Sequence, residues 1–201
     1  MLENRDYTLI IDNSASMAKL NETGETSRWL ALQESTLALA RKCEEFDPDG
    51  ITVYLFSRRF ERFDHVTSAK VAQIFAEEIP ADSTNLVGVL QDAINNYFSR
   101  KVTGKTKPNG EIILVITDGT QHNQQAVCEI IINATHKMDN EKELGISFIQ
   151  VGSDSQATKF FQSLDDKLQS IGAKFDICDT IKLEDLQEIS LTEVLMNAIN
   201  D

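Results

Sequence analysis

Three short stretches carry oxygen-bearing side chains in an arrangement suited to a hard cation: Asp12-Asn13-Ser14-Ala15-Ser16, Asp82-Ser83-Thr84-Asn85 and Asp118-Gly119. The first and third follow directly on apolar, β-branched runs, Tyr7–Ile11 and Ile112–Thr117. The second stands just before a helical stripe that opens at Leu86. Asp12, Ser14, Ser16, Thr84 and Asp118 together form an all-oxygen donor set. Such a set suits Mg²⁺ or Mn²⁺, in preference to Ca²⁺, and does not suit zinc, which favours thiolate and imidazole. Taken singly, each of these residues is explained by turn or helix capping. Their joint occurrence at strand and helix boundaries is what points to a site. Asn13, Ser83, Asn85, Gly119 and His122 are expected around its rim, with Asp82 and Ser83 shaping the Thr84 loop.

Other chemistries lack their residues. An aspartyl-phosphate centre of the Asp-x-Asp type needs an acid where Ser14 stands. The nucleophile elbow Gly-x-Ser-x-Gly is absent, and the nine glycines never occur as Gly-x-Gly, which removes the dinucleotide fingerprint. The full phosphate loop Gly-x-x-x-x-Gly-Lys-Ser/Thr does not occur. His65, His122 and His136 show no ligand spacing with one another or with cysteine, and none is placed to activate a serine. The expectation is a binding module rather than an enzyme. Two alternatives stand beside it: a metal-dependent hydrolase using Asp12 and Asp118, and a purely structural subunit.

These stretches must be positioned by a sheet. Short apolar runs at Tyr7–Ile11, Ile51–Phe56, Ile112–Thr117, Ile146–Val151 and Phe175–Cys178 lack strict polar alternation, as strands buried on both faces do. Between them lie helical stripes: Trp29 to Phe46 after a candidate N-cap at Ser27, Ser68–Ile79, Leu86 to Tyr97, Val127 to Met138, Ala157 to Ile171 and Leu191 to Ile199. Phe60–Phe63 follows the second strand too closely for a helical crossover and predicts a short antiparallel edge strand. The fold class is therefore α/β, a doubly wound, mostly parallel sheet with helices on both faces. In such sheets ligands bind beyond the carboxyl ends of the strands. Thr103–Gly110 is a basic surface loop, and the run Asp139–Glu143 is expected as a solvated helix end.

The 201 residues are expected to form one domain, 1–201, since domains run to roughly 100–200 residues. A net charge of −13 argues against nucleic acid and anionic lipid as partners. No apolar run approaches the roughly 18 residues of a membrane span. With no basic, apolar start and only Cys43, Cys128 and Cys178, the chain is expected in the cytoplasm with reduced, buried thiols.

The sequence resembles a von Willebrand factor type A (VWA) domain, and its Asp-x-Ser-x-Ser, Thr and Asp set is similar to that family's metal-ion-dependent adhesion site. Many members carry Gly where this chain has Ala15. The resemblance implies a Rossmann-like VWA fold. It implies that Ser14 and Ser16 bind the ion directly, that Thr84 does so when the site is engaged, and that Asp12 and Asp118 hold it through water. An ion ringed by neutral hydroxyls and water keeps much of its charge and can take a Glu or Asp of a protein partner. The resemblance further implies a scaffolding role toward an AAA-type ATPase or another regulated assembly, and a final helix, Leu191 to Ile199, that shifts at modest cost when the site is occupied.

Overall fold

The computed structural model describes residues 1–21, 24–119 and 123–200, and His122 lies outside them. Among these residues six strands form one sheet: β1 (Asp6–Asp12), β2 (Ile51–Phe56), β3 (Phe60–Val66), β4 (Glu111–Thr117), β5 (Leu144–Gln150) and β6 (Cys178–Lys182), in the order β3-β2-β1-β4-β5-β6. All neighbours pair in parallel except β2 and β3, where Phe56 faces Phe60 across a tight antiparallel turn. The doubly wound sheet with one antiparallel edge is thus the architecture observed.

Six α-helices of the described residues cover it: α1 (Arg28–Phe46), α2 (Ser68–Glu77), α3 (Leu86–Val102), α4 (Gln124–Thr135), α5 (Ser155–Lys167) and α6 (Leu191–Asn200). Period-two alternation splits the strand residues between two cores. Leu9, Ile11, Val53, Leu55, Leu114 and Ile116 pack with Leu32, Phe75 and Leu195 from α1, α2 and α6. Ile10, Tyr54, Phe56, Ile113 and Val115 pack with Leu90, Ile131 and Phe161 from α3, α4 and α5. With both faces covered, the central strands are buried almost end to end, which is why they read as unbroken apolar runs. The edge strand β3 is largely exposed and carries Glu61, Arg62 and Asp64, charges that discourage edge-to-edge pairing.

Three sequence expectations shift. The last strand is Cys178–Lys182, not Phe175–Cys178. An edge strand packs mainly on one side, so Asp179, Thr180 and Lys182 are tolerated there, and pairing with β5 outweighs the apolar run before it. Helix α2 stops at Glu77, and Ile79 is 80% exposed. Pro80 disfavours the helical conformation in the residue it follows. Glu143 is buried, not solvated: it accepts from the Tyr97 hydroxyl at 3.0 Å and from Lys101 at 2.6 Å.

The strand order sets the location of any ligand. From β1 the chain leaves toward β2 on one side, whereas from β4 it leaves toward β5 on the other. The two loops part at the carboxyl ends of β1 and β4, the switch point at which sheets of this kind form their ligand crevice, and Asp12 and Asp118 stand there.

Candidate functional site

Asp12 closes β1 and is fully buried. Its Oδ1 accepts the Ser14 amide at 2.8 Å, and its Oδ2 accepts the Thr117 hydroxyl, from the end of β4, at 2.5 Å. These bonds orient the carboxylate without neutralising it, and among the described residues it has no cationic partner. Burial outweighs the two hydrogen bonds and pushes its pKa up to about 6.

Ser14 is the N-cap of a 3-10 turn, Ala15–Ala18, yet its side chain makes no capping bond. The hydroxyl instead stands 3.0 Å from that of Ser16. The capping explanation for Ser14 therefore fails. Ala15 lies within the 3-10 turn and is not among the positive-φ residues, so the absence of glycine there carries no backbone penalty.

Backbone bonds bring the Thr84 loop to this turn. Ala81 donates to the Asn13 carbonyl at 3.0 Å, Ala15 to the Asp82 carbonyl at 2.9 Å, and Asn85 to the Ser57 carbonyl at 2.9 Å. Asp82 sits in the left-handed region at φ 66°, its own carboxylate accepting from the Ser83 amide, so it shapes the loop as expected. Thr84 is half-buried, and its hydroxyl bonds to none of the described residues. Asn85 is the N-cap of α3, accepting from Gly88 at 3.0 Å. Asn13 is mostly buried, with Oδ1 lacking a partner.

Asp118 follows β4 and is fully buried, and Gly119 is buried behind it against Ala157 and Phe161 rather than standing on the rim. A residue absent from the sequence-derived set reaches Asp118. Arg28, the first residue of α1, donates through Nη1 to Asp118 Oδ2 at 2.9 Å. Ser27 fixes where that helix starts by accepting from the Leu30 amide at 3.2 Å. Gly152 makes the bed for the guanidinium: a Cβ there would lie 3.1 Å from both Nε and Nη2, and its φ of 77° suits glycine. The Arg28 Nε is buried with no partner. One signal for Arg28 was present in the sequence. A cation in the first turn opposes the helix dipole and is favoured only with an anion at hand. For Thr117 no signal existed, because threonine at a strand end is ordinary β-propensity.

The donor set fits a hard divalent cation in kind: two carboxylates, a paired set of serine hydroxyls and a threonine hydroxyl on a loop bonded to theirs. Among the described residues no cluster of three or more His, Cys, Asp or Glu could hold a metal, so any cation here would rely on hydroxyls and water.

A six-stranded doubly wound sheet with this crevice defines a VWA-type domain, a class that generally mediates protein interactions. The chain belongs to the TerF-like VWA family, described as the vWA found in the TerF C terminus, whose model matches residues 5–200. No curated protein matches it. Solved structures share the fold at low identity. The PilB minor pilin from Streptococcus sanguinis, in a mutant form, matches at TM-score 0.68 and 12% identity over 96% of this chain and 60% of the pilin. Manganese-loaded TRAP from Plasmodium vivax matches at TM-score 0.57 and 15% identity over 94% of this chain and 72% of that one. The chain therefore spans about three fifths of the pilin it matches.

Proposed function

We propose that this domain binds a protein partner through a divalent cation, Mg²⁺ or Mn²⁺, held by Asp12, Ser14, Ser16, Thr84 and Asp118. The observation that carries the reading is Asp12. A fully buried carboxylate without a counter-ion is costly, and a cation at the adjacent hydroxyl pair would relieve it. The manganese in Plasmodium vivax TRAP supports a hard ion in this fold. When bound, the cation supplies a Lewis-acidic seat for an outside carboxylate.

Arg28 fits the same reading. The charges of the two acids balance a divalent ion, and the guanidinium beside Asp118 leaves the crevice with a surplus positive charge. On a protein of net charge −13, that local surplus would select an acidic residue of the partner against the global field. By analogy with the family, the partner proposed is an AAA-type ATPase or another regulated assembly.

Two measurements test the proposal. Mg²⁺ or Mn²⁺ should raise the melting temperature, EDTA should reverse the gain, and Asp12→Asn should abolish it, because a ligand of the native state stabilises by mass action. Pull-down with Mg²⁺ should recover a partner that Asp12→Ala and Thr84→Ala lose while retaining the circular dichroism of the parent. A melting temperature indifferent to both ions overturns the metal site. Recovery unaffected by both substitutions assigns the crevice a structural role.

A further inference from the structure

At the opposite end of the sheet, below the amino ends of β1, β4 and β5, lies a cavity of about 460 Å³. Thr106 to Gly110 of the basic loop form one wall, Arg5 and Lys142 form part of another, and Asp139 and Glu143, paired with Lys101, also line it. Ligand pockets for small molecules begin at roughly 300 Å³.

The cations around this cavity differ in their partners. Lys101 is held by Asp139 and Glu143, Lys107 by Asp47 and Asp49, and the nearby Arg100 by Asp6 and Glu111. Arg5 is 2% exposed and, among the described residues, bonds to carbonyl oxygens alone: Nε donates to Met1 at 3.3 Å, Nη1 to Glu111 at 3.4 Å and Nη2 to Lys142 at 2.8 Å. Lys142 is exposed, and its ammonium contacts the Asn200 amide oxygen at 3.3 Å and the Met1 sulfur at 3.9 Å. In a chain with 32 acids and 19 Lys plus Arg, two cations lining one cavity with no carboxylate partner among the described residues are conspicuous. A buried guanidinium lacking an anion carries a desolvation cost that carbonyls repay only in part.

The donor count gives the shape of what is missing. A guanidinium has five N–H groups. With one hydrogen used in each of the three bonds, each Nη keeps one N–H without an acceptor among the described residues. A guanidinium presents its donors as a planar fork suited to oxyanions, and these two N–H groups remain for one. Two cations on one cavity favour a doubly charged group, and the cavity has room for more than the group itself, with Thr106, Asn109 and Asn140 on its walls.

We infer that the Arg5–Lys142 cavity binds a phosphate group carried on a small organic molecule. It lies at the far end of the sheet from the crevice and does not depend on the metal reading. The test is titration calorimetry of the full chain in EDTA, at constant ionic strength, with inorganic phosphate and with a phosphomonoester, AMP, as probes. Saturable binding of AMP is expected, tighter than that of inorganic phosphate and at least about tenfold weaker in Lys142→Ala, whose side chain is exposed and whose loss leaves the core intact. Arg5→Lys, which keeps a charge but loses the fork, should weaken it as well. No saturable heat with AMP, binding no tighter than that of inorganic phosphate, or unchanged affinity in Lys142→Ala overturns the proposal.

Discussion

Two side-chain bonds, Thr117 to Asp12 and Arg28 to Asp118, tie the end of the fourth strand to the first strand and to the first helix at the mouth of the crevice. Each carboxylate is satisfied differently. Asp12 has hydrogen bonds and, among the described residues, no counter-ion, whereas Asp118 has a guanidinium. Arg28→Ala should therefore cost about 2–4 kcal/mol in chemical denaturation, because it strips a fully buried carboxylate of a cation. If a divalent ion enters the crevice, the variant's melting temperature should rise more on adding Mg²⁺ than the parent's does. An equal rise would show that Arg28 and the ion do not share Asp118. The five sequence-predicted metal residues lie on the loops that meet here, yet Arg28 was outside their motif. Motif spacing registers residues that repeat a pattern, and Arg28 reaches the crevice only because α1 begins beside the mouth.

At the scale of elements, α6 is the informative case. The expectation of a helix that moves cheaply meets a helix sealed to the sheet. Val194, Leu195, Ala198 and Ile199 are buried, and Gly145 in β5 lets the Ala198 carbonyl approach so closely that any Cβ there would overlap it. Sliding α6 would have to break this contact. Gly145→Ala should therefore destabilise the protein by about 3 kcal/mol through overpacking, measured by denaturant titration. Amide exchange in α6 should quicken in the same variant. The sequence showed the amphipathic stripe of α6 plainly. It could not show that a glycine in β5, with α5 and β6 between, was its docking surface, because close approach of two backbones leaves no periodic trace.

Across the whole molecule, acids outnumber bases and several are buried. Burial raises Glu111 from an ordinary 4.5 to about 7, against the opposing pull of Arg100 and of the Thr8 hydroxyl, which donates to it at 2.6 Å. Asp47 is likewise pushed up to about 6 by burial. For an acid raised on folding, stability is fully present below the unfolded value and is lost as pH rises through the folded one. The melting temperature should thus fall between about pH 5 and pH 8, with Glu111 contributing of the order of 3 kcal/mol to that loss. Glu111→Gln, which keeps an acceptor for Thr8, should flatten the slope, and calorimetry across this pH range checks it. An unaltered slope would place the pH dependence elsewhere.

Residue order alone determined the alternation of strand and helix, the antiparallel edge, the cap at Ser27 and the five oxygen-bearing residues placed at the sheet's carboxyl ends. These follow from local rules: periodicity, capping and strand-end position are written over a few neighbouring residues. Tertiary structure decided the start of β6, the burial of Glu143, the ion pair of Arg28 with Asp118 and the uncompensated Arg5 beside its cavity. Each depends on which distant backbone or charge becomes a neighbour after the sheet closes, a fact held in no short stretch of the chain.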